Sequence, residues 1–111
     1  MNPQELAQRY FATVRSRDLD AFVALFTEDA SFIPPHGREL NGHAAIREHQ
    51  AMTFAGSPPT PSPQSMILGD RSAAVEVEVR QPDGRVIYVA NCFYFDAQGL
   101  IERLRVYRRD G

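Results

Sequence analysis

The chain has no lysine, one cysteine and no long hydrophobic run, and each shortage narrows its reading. All twelve basic residues are arginine. Cys92, standing alone, excludes an intramolecular disulfide and any zinc site built from several cysteines. It lies inside an apolar stretch and reads as a buried, inert thiol. No window approaches the length of a membrane-crossing helix. The opening MNPQELAQRY lacks the basic and apolar segments of a secretion signal. The expectation is a cytoplasmic protein with no membrane partner. Positive charge does not predominate: twelve arginines stand against fourteen acidic residues, the net charge is −2 and the pI about 5.9. That argues against nucleic-acid binding, which calls for a basic patch or stripe.

What is present suits a small globular protein. The 111 residues are 43% hydrophobic and 23% charged, enough for one domain over residues 1–111 with a modest core. Asn2, Pro3 and Glu5 read as a helix start, with Asn2 as the cap. Leu6, Tyr10 and Val14 follow at helical spacing, with Ala7 and Phe11 beside them. Asp18 caps a second, short helix carrying Leu19, Phe22, Val23, Leu25 and Phe26. Residues 30–33 read as a strand that stops at Pro34-Pro35, just before His36 on a glycine turn. Asn41-Gly42 opens a third helix with Ile46, His49 and Thr53 on one face; His43, in its first turn, reads as exposed.

Residues 56–63 (GSPPTPSP) hold four prolines and read as an exposed loop, since neither a helix nor a central strand tolerates them. Strands follow over 64–69, 73–81, 85–96 and 100–109, with turns at Gly69-Asp70, Pro82-Asp83-Gly84 and Gln98-Gly99. In 73–81 valines alternate with Glu76, Glu78 and Arg80. The stretch 85–96 is apolar on both faces and reads as sandwiched. Helices first and an antiparallel meander after them make an α+β fold, with room for a pocket between a curled sheet and the first helix.

Three stretches carry a family resemblance: QRYFATVRSRDLDAFVALFTEDASF from Gln8 to Phe32, NGHAAIREH at the third helix, and FYFDAQGLIERLRVY near the end. The chain resembles ketosteroid isomerases within the NTF2-like or SnoaL-like superfamily over nearly its whole length. The resemblance implies a cone-shaped, curved antiparallel sheet wrapped around three helices. It further implies a homodimer through the outer sheet face, a small apolar ligand, and chemistry without a cofactor or metal. The fold also hosts cyclases, dehydratases, epoxide hydrolases and plain binding modules.

Ketosteroid isomerases use a carboxylate base, a tyrosine and a protonated aspartic acid that hold a developing enolate oxygen. By resemblance the tyrosine is Tyr10, the acid position is Asn91 and the base position is Pro34, which can move no proton. Two replacements for the base stand open. His36 is two residues further on, with Glu39 as a possible orienter, and histidine is the most useful general base near neutral pH. Glu76 would face the pocket if strand parity is counted back from Asn91; hydrophobic patterning turns the valines inward instead, and a one-residue slip decides between them. Phe26, Ile33, His49, Phe54, Phe93 and Phe95 are the expected pocket lining, with the proline stretch as a lip. An isomerase- or cyclase-type enzyme and a non-catalytic binding or dimerisation module are the two functions that follow.

Overall fold

A computed structural model of the chain describes residues 1–56 and 58–109. Helix α1 (Pro3–Ser16) begins where Asn2 Oδ1 accepts the Glu5 amide at 2.9 Å. It ends at Arg17, which takes a left-handed backbone (φ 57°) so that its amide reaches the carbonyls of Thr13 and Val14. Helix α2 (Leu19–Ala24) is capped by Asp18, which accepts the Ala21 amide at 3.1 Å. Each such cap contributes about 1 kcal/mol. Strand β1 (Phe26–Ile33) and the short β2 (Leu40–Asn41) precede helix α3 (Gly42–Ala55). Strands β3 (Thr60–Leu68), β4 (Ser72–Arg80), β5 (Val86–Phe95) and β6 (Ile101–Arg109) complete the chain as a meander. Among the described residues no helix is long and apolar enough to cross a membrane.

The six strands form one curved sheet in the order β2-β1-β6-β5-β4-β3. All pairings are antiparallel except β1 with β6, which run parallel. Register shifts interrupt β1/β6, β3/β4 and β5/β6, and such irregularities sharpen local bend and twist. The three helices lie on the concave side. Between helices and sheet sits an aromatic cluster. The Tyr10 ring meets Phe93 edge-on at 5.0 Å, Phe11 at 5.1 Å and Phe22 at 5.3 Å. Phe22 continues the cluster to Phe26 at 5.3 Å and to Phe54 at 5.9 Å. Such pairs add about 0.5–1.5 kcal/mol each beyond their buried area.

Four local readings change. Phe26 opens β1 rather than continuing α2, because Leu25 O accepts the Ile101 amide at 2.8 Å and Phe26 pairs with Ile101; tertiary pairing overrides the helical spacing. The proline stretch is not all loop. Pro61 and Pro63 pair with Val79 and Val77 in β3, which is an edge strand and so tolerates residues without an N–H; Ser57 of that stretch lies outside the described residues. The 85–96 stretch is not sandwiched: β5 alternates, with Val89, Asn91, Phe93 and Phe95 buried inside and Tyr88 exposed on the other face. Cys92 lies on that outer face, half-buried rather than in the core, and burial raises its thiol pKa.

The register of β4 follows the hydrophobic pattern. Asn91 pairs with Val75 and Val89 with Val77, so the valines share the inner face with Asn91. Glu76 and Glu78 are exposed on the outside. The turn explains the parity. Gln81 N–H donates to Arg85 O at 2.7 Å and Gly84 N–H to Gln81 O at 2.9 Å, with Gly84 at φ +90°. Three residues therefore stand between the closing pair, the length that takes a left-handed glycine. Counting through a three-residue turn keeps odd positions opposite odd positions.

Candidate functional site

The concave side leaves a cavity of about 380 Å³, within the range of small-molecule sites. Its walls are built by period and parity. From β4 come Val77 and Val79, from β5 Ile87, Val89 and Asn91, from β6 Val106 and Arg108. Helix α1 adds Tyr10, Phe11 and Val14 at helical spacing. Helix α3 adds His49, Gln50, Thr53 and Phe54, two neighbouring pairs one turn apart. Five of the eight prolines form the rim: Pro34, Pro35, Pro58, Pro59 and Pro61. Proline has no N–H, so these positions offer a ligand no backbone donor and hold their shape.

Three buried polar side chains give the apolar cavity its direction. Tyr10, Gln50 and Asn91 are 7%, 6% and 4% exposed. Among the described residues, no protein group hydrogen-bonds the Tyr10 hydroxyl or the two side-chain amides. Yet no side-chain N or O atom is both sealed and unpartnered. Their polar ends therefore open into the cavity. Burial raises the Tyr10 pKa far above that of an ordinary phenol, so the hydroxyl stays protonated and able to donate. Tyr10 and Asn91 are brought together by packing: the Tyr10 ring rests on Phe93, and Asn91 lies two residues from Phe93 on the same strand face. Turned toward the cavity without protein partners, these groups are poised for a ligand's hydrogen bonds.

Two imidazoles stand at the mouth. His49, half-buried on α3, meets the Phe32 ring edge-on at 6.0 Å and the His36 ring at 5.3 Å. Burial first, and then the neighbouring His36, lowers the His49 pKa below the ordinary histidine value. His36 is exposed in the turn after β1, where its Nδ1 accepts the Arg38 amide at 3.4 Å. Glu39 does not orient it, because Glu39 Oε2 accepts instead from the Ser31 hydroxyl at 2.5 Å. His43 is not simply exposed: its ring is half-buried and bonds Phe26 O through Nε2 at 2.8 Å. Among the described residues no cluster of three or more His, Cys, Asp or Glu could hold a metal ion.

Of the residues singled out from the sequence, Tyr10, His36, His49, Phe54 and Asn91 line this cavity. Glu76 does not: it lies on the opposite face of the sheet, with its strand neighbours Val75 and Val77 turned inward. Phe26, Phe93 and Phe95 are buried in the core beneath the cavity, where the aromatic cluster uses their whole surface. Ile33 also misses the cavity, and its neighbour Phe32 faces it instead, because successive strand residues alternate sides. Gln50 is the residue the sequence reading missed. Its signal is the spacing to the fully buried Ile46, one turn earlier on the same helix face.

This architecture has known counterparts. The chain is similar to SalBIII, an epoxide hydrolase/cyclase-like enzyme with a role in pyran ring formation in the polyether salinomycin, at 26% identity and a TM-score of 0.82 over 96% of this chain and 90% of that one. A protein from Sphaerobacter thermophilus is 27% identical with a TM-score of 0.85, over 100% of this chain and 99% of the other. A putative ketosteroid isomerase from Kribbella flavida shares the fold at 21% identity and a TM-score of 0.84, covering 96% and 77% of the two chains. Residues 7–104 match the SnoaL-like domain. With that match and with its curved sheet closed over three helices, the chain belongs to the SnoaL-like domain family, within the NTF2-like superfamily.

Proposed function

We propose that the chain is a cofactor-free acid–base enzyme acting on a small, largely apolar carbonyl compound by isomerisation, cyclisation or dehydration. The observation that carries this reading is the cavity: walls of valine, phenylalanine and proline, with the polar ends of Tyr10, Gln50 and Asn91 directed into it. In such a site a ligand oxygen would receive the Tyr10 O–H and an Asn91 N–H. Both bonds strengthen as negative charge develops on that oxygen, which is how such donors accelerate a reaction. Pro34 stands at the base position of ketosteroid isomerases and can take no proton. The proton acceptor is then an imidazole, since the cavity wall carries His36 and His49 but no carboxylate among the described residues. The likeness to an epoxide hydrolase/cyclase-like enzyme supports a ring-forming or ring-opening reaction as one member of the class.

A phenol imitates the enolate, so 2-naphthol is a suitable probe. We expect fluorescence titration to detect its binding, with Tyr10→Phe and Asn91→Ala each weakening it by about tenfold, the worth of a buried hydrogen bond. Unchanged affinity in both variants would remove the reading. The absence of a carboxylate from the wall favours a second reading, a binding module that holds a ligand without converting it. That module would bind 2-naphthol equally well and leave a bound ketone unexchanged with solvent. The homodimer expected from the resemblance would use the outer sheet face, where Tyr88 and Tyr107 are exposed, and sedimentation equilibrium measures it.

A further inference from the structure

We propose that His49 and His36 form a two-ring proton path, in which His49 takes the proton from the bound ligand and His36 exchanges it with solvent. The inference rests on the acid–base reading above and assigns its two histidines different tasks. Geometry carries it. His49 is anchored on a helix, half-buried, and lines the cavity alongside Gln50 and Thr53 of the same helix face. His36 lines the mouth and is exposed. The ring centroids are 5.3 Å apart at 58°, close enough for transfer after a small ring rotation or through one water. The Arg38 amide donates to His36 Nδ1 at 3.4 Å, so Nδ1 is the nitrogen without a proton: it accepts when this long bond opens, and Nε2–H is the one that releases to solvent.

Other charges do not crowd the pair. Among the described residues, the remaining ionisable side chains on the cavity wall are Tyr10 from α1 and Arg108 from β6. Tyr10 stays neutral because its hydroxyl is buried. The relay also answers a difficulty of a half-buried base. A proton captured inside an apolar cavity returns to the carbon it left unless a route to water competes with that return. His36 is such a route, because it stands exposed at the mouth beside His49.

The step balances without any further reagent. The probe is 2-tetralone, an apolar bicyclic ketone with acidic protons at C1. In D2O the C1 proton moves to His49, and the C–H electron pair moves onto the ketone oxygen, which Tyr10 and Asn91 hold. The imidazolium gives its proton through His36 to solvent, takes up a deuteron by the same path and returns it to C1. The net change is hydrogen for deuterium, with nothing oxidised or reduced.

The test follows C1 exchange by proton NMR, with the Kd for tetralone measured alongside to separate binding from exchange. The wild type is expected to accelerate exchange over buffer. His49→Gln should lose about a hundredfold of that acceleration, the typical worth of a general base. His36→Gln should lower exchange several-fold, and added imidazole should restore it, which repair of a structural defect would not do. The pH profile adds a second readout. Exchange is lost as pH falls through the His49 pKa, and removing the neighbouring His36 charge moves that acid limb to higher pH. Nitrogen-15 NMR of the rings reads the same midpoint directly and reports that the variants are folded.

Wild-type exchange with an unaltered rate in His36→Gln would overturn the relay while leaving the acid–base reading intact. A His49 midpoint that ignores His36→Gln would also overturn it. No acceleration by the wild type, or none lost in Tyr10→Phe, would overturn the acid–base reading and the relay together.

Discussion

The two faces of the central sheet are made from the same strands and do opposite things. On β4, Val75, Val77 and Val79 point inward, while Glu76, Glu78 and Arg80 point to solvent. On β5 the inner face carries Val89, Asn91, Phe93 and Phe95, and the outer face carries Tyr88 and Tyr94. Outside, aromatic and charged groups pair side by side: Arg103 lies 4.0 Å over the Tyr94 ring and Arg109 lies 4.6 Å over the Tyr88 ring. Inside, among the described residues, the side chains of Tyr10, Gln50 and Asn91 have no protein hydrogen-bond partner. A polar side chain on the outer face is stabilised by water or a neighbour; one on the inner face is left for a ligand. The lesson is that a polar residue's meaning depends on which side of the pleat it occupies.

The two faces should differ most in the core under the cavity. Phe93→Ala should destabilise the fold by about 3–5 kcal/mol, the usual cost of deleting a buried ring, as read by urea unfolding. Tyr88→Ala, on the opposite face of the same strand, should cost about 1 kcal/mol at most, the worth of an exposed cation–π contact. Equal losses would mean that the outer face is also covered.

A sharper probe is Asn91→Leu. Replacing an unpartnered buried amide by an apolar side chain of similar shape should raise stability by about 1 kcal/mol while weakening 2-naphthol binding. A loss of stability instead would assign Asn91 to the framework and not to the cavity.

The smallest effect is expected at Glu76. Glu76→Gln should change unfolding free energy by less than about 0.5 kcal/mol, as surface substitutions do, and leave tetralone exchange at the wild-type rate. A large drop in exchange would bring that carboxylate back into the chemistry.

Much of the frame was legible in the residues alone. Asn2 and Asp18 announce both early helices through short side chains able to cap, and both bonds form. The valine alternation of β4 states its own inner face, and it is the better guide than a parity count through the Pro82-Asp83-Gly84 turn. That count fails because one extra turn residue reverses every side chain beyond it. The family likeness pointed to the curved sheet over three helices, and the match over residues 7–104 agrees with it.

Other features needed the tertiary structure. The strand start at Phe26 depends on β6, seventy-five residues later in the chain, because Phe26 pairs with Ile101. Prolines 61 and 63 are strand residues only because β3 lies at the edge of the sheet. Whether Phe26, Phe93 and Phe95 line a cavity or fill a core cannot be read from spacing, since both uses require the same inward face. Gln50 and His49 acquire their significance from what packs opposite α3. Local order, caps, turns and the alternation of faces follow from the residues alone, because these arise from contacts within a few residues. The tertiary structure alone decided which inward side chains stop short of one another and leave a cavity, because that is a property of distances between elements far apart in the chain.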